Sequence, residues 1–116
     1  MATITVYAAA TAASDGSTIP HPVFNATGLE WIIVSADNLG AGEELGAGEE
    51  VDIYRLAGQT WVVATGDGVA FKLTGTAGVN NAAHMRLEGG GWYQFRKDAT
   101  AGACGIYVDE GPGISR

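Results

Sequence analysis

Residues 50–65 read EVDIYRLAGQTWVVAT, and this stretch decides the fold class. Its first half alternates apolar and polar side chains with a period of two, which predicts a strand with one buried face. A three-residue connection around Gly58 leads into a second apolar run, as in a tight hairpin. Strand parity places two side chains inward and two outward: Val51 and Ile53, against Asp52 and Tyr54.

Similar runs, bounded by Gly, Asn, Asp or Pro, recur along the chain, and no window carries a convincing 3.6-residue apolar period. They predict an all-β fold, an antiparallel β-sandwich or jelly-roll-like barrel of about eight short strands. The predicted strands are residues 3–9, 31–36, 50–56, 60–65, 69–74, 84–88, 92–97 and 104–109. Parity also places Tyr93 and Phe95 on one face of their strand, opposite Trp92, Gln94 and Arg96. In the last strand it sets Cys104, Ile106 and Val108 opposite Tyr107 and Asp109.

At 116 residues the chain is expected to form a single β domain, 1–116. Residues 1–10 read as a first strand and also as a possible N-terminal arm. Long loops are predicted at 14–28, which holds two prolines, and at 37–49. Glycine-bearing connections at 66–68 and 89–91 predict hairpins that continue the first one into a meander.

Thirteen acidic against six basic residues give a net charge of −7, which disfavours nucleic acid as a partner. No apolar run approaches the roughly 18–20 residues of a membrane helix, and the N-terminus lacks the pattern of a signal peptide. We therefore expect a protein made in the cytoplasm with no membrane partner. A single cysteine, Cys104, and two histidines leave no disulfide and no zinc set.

A doublet, GAGEELGAGEEV, occupies residues 40–51. It departs from the dinucleotide fingerprint, because position 45 is leucine and a strand follows. A calcium loop built from Glu43, Glu44, Glu49 and Glu50 is one hypothesis, although the spacing fits no known loop. A solvated acidic loop is favoured over it, and contact with a basic patch on a protein partner is a third interpretation.

The sequence offers no catalytic residues, cofactor or metal site. The two histidines, His21 in the proline loop and His84 at a strand start, have no nucleophile and carboxylate in a recognisable arrangement. Cys104 shares the inward face of its strand, which predicts a buried, inert thiol. We therefore expect that this protein is not an enzyme.

The remaining candidate functional residues are three tryptophans: Trp31, Trp61 and Trp92. Each begins an apolar strand, a position typical of a core edge or a subunit interface. A stacking platform for sugars is the less favoured interpretation.

From residue 48 onward the chain resembles small structural proteins of tailed bacteriophages. The resemblance is carried by GEEVDIYRLAGQTWVVAT, VAFKLTGT and RLEGGGWYQFRKDATAGACGIYVDE. Within these, a G-x-x-W motif falls at Gly58 to Trp61, a G-x-Y-x-x-x-K motif at Gly91 to Lys97, and a T-A-G-A-x-G-V/I-Y motif at Thr100 to Tyr107. The first 47 residues match nothing in this pattern.

The resemblance implies a virion component, a capsid decoration or cement protein that binds the major capsid protein and stabilises the assembled shell. It implies a homo-oligomer, trimer or dimer, on the capsid surface. We expect contact through the N-terminal segment, the proline loop and one apolar sheet face, with these residues: Ile4, Val6, Tyr7, Pro20, His21, Pro22, Phe24 and Trp31. The alternatives are a tail, neck or fibre-associated receptor-binding domain and a calcium-dependent lectin-like module.

Overall fold

The computed structural model describes residues 2–26, 31–37, 45–46, 48–66, 68–75, 84–88 and 91–110. In these residues the chain is all-β. The strands are β1 (Ala2–Ala10), β2 (Val23–Ala26), β3 (Trp31–Asp37), β4 (Glu50–Ala57), β5 (Thr60–Val63), β6 (Thr65–Gly66), β7 (Val69–Ala70), β8 (Lys72–Thr74), β9 (His84–Glu88), β10 (Gly91–Lys97) and β11 (Cys104–Glu110).

The strands form two antiparallel sheets that pack as a sandwich. Sheet A has the order β1-β11-β3-β9, and sheet B has the order β2-β10-β4-β5, with β8 also paired to β4. A small hairpin, β6-β7, projects between β5 and β8. The predicted fold class is therefore confirmed as an antiparallel sandwich.

Alternate residues of both sheets fill the space between them, which is what the period-two pattern predicted. The largest fully buried side chains come from both layers: Phe95, Ile53, Leu73 and Val51 from sheet B, and Leu87, Ile106, Val34, Val108 and Cys104 from sheet A. The predicted inward positions of Val51 and Ile53 and the predicted burial of Cys104 are confirmed. Of the two faces predicted for β10, the one with Tyr93 and Phe95 is buried. Tyr107 follows parity in facing away from Ile106, yet it too is buried, so the middle of β11 is covered on both faces.

The tight turn after β4 is confirmed, with Gly58 at a φ of 66° that a residue with a Cβ adopts only under strain. The expected hairpin at 89–91 is wrong. β9 pairs with β3 in sheet A whereas β10 pairs with β2 and β4 in sheet B, so the chain crosses between layers there. The chain has already passed from sheet B to sheet A between β8 and β9, so the meander ends before β9. A glycine-rich connection permits a crossing between sheets as readily as a reversal within one.

Two further expectations need correction. The loop predicted at 14–28 contains β2, which pairs with the edge of β10 from Gly91 to Gln94. The strand predicted at 69–74 is broken at Phe71, whose backbone N–H bonds to Ala64 while its carbonyl accepts from Ile53. Of the other long loop, residues 38–44 and 47 lie outside the described residues.

Residues 2–10, which the sequence allowed as an arm, lie in sheet A as its edge strand. β1 pairs with β11 from Ala2 to Ala10 with irregularities after Thr5 and Tyr7. At the second irregularity the backbones approach so closely that a Cβ on Gly105 would stand 2.5 Å from the carbonyl oxygen of Tyr7. Only glycine fits there, which fixes the register of β1 against β11.

A buried lysine joins the two sheets beside this contact. Lys97 continues the inward face of β10, and its ammonium donates to the carbonyls of Ala12 and Asp98 at 3.0 and 3.1 Å and to the Thr100 hydroxyl at 3.1 Å. Its Nζ also lies 5.6 Å from the centre of the Tyr7 ring. Burial lowers the pKa of Lys97, an effect that nearby Cys104 and Glu49 oppose.

Candidate functional site

The outer face of sheet B carries an apolar surface that no described residue covers. Trp92 and Val63 are 43% and 45% exposed on it, and Val23 at its edge is 44% exposed. Leu56 and Trp61, which are half-buried register partners, complete the surface. We call these five residues, Val23, Leu56, Trp61, Val63 and Trp92, the tryptophan face.

Register explains why these side chains share one face. In an antiparallel sheet, residues directly opposite each other on neighbouring strands point to the same side. One row runs across four strands from Val23 through Gln94 and Tyr54 to Val63. Trp92 lies opposite Asn25 in the next row. Since Val51 and Ile53 face the core, this whole set faces outward.

A recess of about 200 Å³ opens beside the tryptophan face. Along one side of β4 the chain passes from β5 to β8, and in between it leaves the sheet to form the β6-β7 hairpin. Three backbone hydrogen bonds hold the base of this recess together. The Ala64 N–H donates to the Ile53 carbonyl at 3.0 Å, the Ile53 N–H to the Phe71 carbonyl at 3.2 Å, and the Phe71 N–H to the Ala64 carbonyl at 2.8 Å. The recess is lined by Asp52, Tyr54, Val63, Ala70, Phe71 and Lys72.

Several charged side chains lie beside the recess on the outer face of sheet B. Lys72 forms an ion pair with Glu50 at 3.2 Å, and the Arg96 guanidinium stacks 3.7 Å from the centre of the Tyr54 ring. Desolvation first, and then the neighbouring Glu50 carboxylate, raise the pKa of Asp52. Within the described part of the chain no hydrogen bond or ion pair reaches the Asp52 carboxylate.

The residues predicted to bind a partner are distributed over both sheets. Ile4, Val6 and Tyr7 lie on β1 in sheet A, where only Ile4 among them is largely exposed and the other two pack against the core. Pro20, His21 and Pro22 lie beside β10 in sheet B, and Phe24 packs against the core from β2. Trp31 is in β3, and its side chain lies outside the described residues.

The proline loop is fastened to β10 rather than presented freely. Ser14 is buried, exchanges backbone and hydroxyl hydrogen bonds with Lys97, and shares a 2.8 Å hydrogen bond with the His21 Nδ1. The Phe95 N–H donates to the Pro22 carbonyl at 2.9 Å. Desolvation, reinforced by the positive charge of Arg96, lowers the pKa of His21. The hydrogen bonds of Ser14 to His21 and Lys97 therefore hold the proline loop against sheet B.

The second copy of the acidic doublet makes internal contacts, contrary to the expected solvated loop. The Glu49 carboxylate accepts hydrogen bonds from the Gly46 N–H and, at 2.8 Å, from the Ala101 N–H. The backbones of Glu50 and Asp98 are joined at 3.0 Å, and the Asp98 carboxylate accepts from the Glu50 N–H. These hydrogen bonds hold the start of β4 against the β10-β11 connection, and we call them the clasp. Glu43 and Glu44 lie outside the described residues.

The described residues contain no group of three or more His, Cys, Asp or Glu side chains placed to hold a metal ion. Cys104 is fully buried and not part of a disulfide, as the sequence predicted. The side chain of His84 lies outside the described residues. Among the described segments there is no helix long and apolar enough to cross a membrane.

Sequence reasoning missed the tryptophan face as a surface. It identified Trp61 and Trp92 but left their facing open, because assigning it requires the register between β10, β4 and β5. Comparison with known proteins adds no further guide: no family model matches the chain, and no curated protein or solved structure shows significant similarity to it.

Proposed function

We propose that this protein is a capsid decoration protein of a tailed bacteriophage, a non-enzymatic homo-oligomer that binds the assembled major capsid protein on the outside of the shell. The observation that carries the proposal is the tryptophan face. Exposed aromatic and aliphatic side chains at the centre of a surface, with charges at its margin, are typical of protein interfaces. The phage character rests on the sequence resemblance between residues 48 and 110.

The tryptophan face replaces the N-terminal segment as the proposed contact. Ile4, Val6 and Tyr7 belong to the paired edge strand β1, and the proline loop is stapled to β10. By contrast, Trp92 and Val63 already stand in solvent and need no rearrangement to be covered. Binding only the assembled shell would stabilise it by mass action over many copies.

Sedimentation of the purified protein with capsids that lack it tests this proposal. Two neighbouring residues on β5 supply a matched pair, since Val63 lies on the tryptophan face and Val62, 42% exposed, belongs to the opposite parity. We expect wild type and Val62→Asp to sediment with capsids, and Val63→Asp and Trp92→Ala to bind at least about tenfold more weakly. Equal binding by all four proteins, or none by wild type, contradicts the proposal.

One observation favours a second candidate, the receptor-binding domain of a tail or fibre. Trp92 is exposed beside the amide side chains of Asn25 and Gln94, a combination that could stack on and hydrogen-bond to a sugar. Quenching of tryptophan fluorescence by host-surface polysaccharide, lost in Trp92→Ala, would support it. The calcium-dependent lectin gains nothing from the described residues, because Glu49 and Glu50 are engaged in protein contacts.

A further inference from the structure

The recess beside the tryptophan face is built into the fold. It exists because the chain leaves sheet B after Val63 and rejoins it at Lys72. Backbone hydrogen bonds among Ile53, Ala64 and Phe71 hold the base of the recess together. Its lining is aromatic and aliphatic apart from two charged residues, Asp52 and Lys72. A volume of about 200 Å³ admits one amino-acid side chain.

Covering this surface has an electrostatic consequence for Asp52. Docking would remove water from a half-buried carboxylate, and an unpaired charge at an interface is costly unless the partner supplies a counter-charge. The nearest cations of the chain already have partners: Lys72 pairs with Glu50, and Arg96 stacks on Tyr54 and donates to Gln94 at 2.9 Å. Both cations lower the pKa of Asp52 electrostatically, but neither forms an ion pair or hydrogen bond with its carboxylate. A direct counter-charge would therefore come from the partner.

We propose that the recess receives an arginine side chain from the protein surface on which the tryptophan face docks. A guanidinium is planar and weakly hydrated, so it can pack against Tyr54 and Phe71 while it donates two hydrogen bonds to the Asp52 carboxylate. The contact between Arg96 and Tyr54 is an internal example of the same packing. The inference rests on the proposed docking and specifies its chemistry: a basic anchor within an apolar footprint, which also suits a chain of net charge −7.

The test uses the isolated protein and a probe of known chemistry. Capped arginine, N-acetyl-arginine N-methylamide, is titrated into ¹⁵N-labelled protein and followed by amide chemical shifts. The neutral isostere, capped citrulline, is the matched ligand control. We expect saturable shifts at Asp52, Tyr54, Phe71 and Lys72 with arginine and about tenfold weaker binding of citrulline. Absence of shifts in these residues, or equal binding of the two ligands, overturns the inference.

A pair of variants tests the role of the carboxylate. Asp52→Asn removes the charge without changing shape, and Asp109→Asn makes the same change in net charge on β11 of sheet A. We expect Asp52→Asn to bind capped arginine about tenfold more weakly and Asp109→Asn to match wild type. Equal weakening in both would show that arginine senses only the overall negative charge, and this too overturns the inference.

Failure here and failure of the proposed function give different results. Wild type that sediments with capsids but shows no arginine site keeps the docking proposal and removes the basic anchor. Wild type that binds capped arginine through Asp52 but not capsids keeps the recess as a guanidinium site and removes the capsid as the partner.

Discussion

Lys97 shows how one buried charge can organise a fold. It is 2% exposed, and its ammonium holds three oxygens from the β1-β2 loop and the β10-β11 connection. Hydrogen bonds to charged groups contribute more than neutral ones, and a partner left buried without its donor is destabilising. The lysine therefore ties the β1-β2 loop to the β10-β11 connection, two segments that are distant in sequence.

We expect Lys97→Met to lower the free energy of unfolding by about 1–3 kcal/mol, because three acceptors lose their donor while the packing volume is kept. Lys72→Met is the matched control, since Lys72 lies in an exposed ion pair, and its effect should stay within about 0.5 kcal/mol. Urea unfolding measures both. Equal effects of the two substitutions would contradict the role given to Lys97.

His21 makes stability depend on pH. The folded protein holds its pKa below the value of about 6.5 expected in the unfolded chain, so protonation favours unfolding. The stabilisation is complete above that unfolded value and is lost as the pH falls through it toward the folded pKa. We expect the melting temperature to drop between about pH 7.5 and 5, and to drop less in His21→Gln. An identical drop in the variant would assign the dependence to other groups.

The clasp between β4 and the β10-β11 connection is the feature that the acidic doublet provides. Glu49 accepts one backbone N–H from its own turn and another from Ala101, so one side chain stabilises both the turn before β4 and the connection after β10. No local sequence signal predicts the hydrogen bond between Glu49 and Ala101, because the two residues are 52 positions apart.

We expect Glu49→Gln to destabilise the protein by about 1–2 kcal/mol, since an amide can accept only one of the two N–H bonds without turning its NH₂ toward a donor. It should also speed hydrogen exchange at the Ala101 amide. Glu50→Gln, which weakens only the exposed pair with Lys72, should leave both quantities nearly unchanged. An unaltered exchange rate at Ala101 in Glu49→Gln would argue against the clasp.

Strand positions could be predicted where the pattern is local. The alternation in β4, β10 and β11 predicted the strands, the buried face of β4 and which residues share a face in β10 and β11. β2 was missed because Val23–Ala26 is short and follows prolines, and it becomes a strand only by pairing with the edge of β10. The crossing between β9 and β10 was missed because sheet membership depends on partners far along the chain.

At the scale of the whole molecule, the motifs behind the phage resemblance coincide with packing contacts. Gly91 leaves room for the Arg55 side chain, Tyr93 accepts a 2.6 Å hydrogen bond from Arg55, and Lys97 forms the central tie. Gly105 permits the close approach of β1 to β11. Apart from Trp61, the residues of the tryptophan face are not fixed positions of these motifs. The resemblance thus mainly concerns residues that build the sandwich.

The candidate site could be predicted only in part for this reason. Sequence patterns indicated aromatic strand starts and an apolar chain with acidic excess. The assembly of Trp61, Val63, Trp92 and Val23 into one surface depends on register across four strands, and the recess depends on where the chain leaves sheet B. Neither has a local signature.

The central claim is that this protein coats a phage capsid, and the most direct test is its copy number in purified virions. Quantitative mass spectrometry gives the ratio of this chain to the major capsid protein. The proposal predicts a ratio near one to one, or one to a few, as expected for a protein bound all over the shell. A handful of copies per particle would move it to the tail or neck, and absence from the virion would contradict the account.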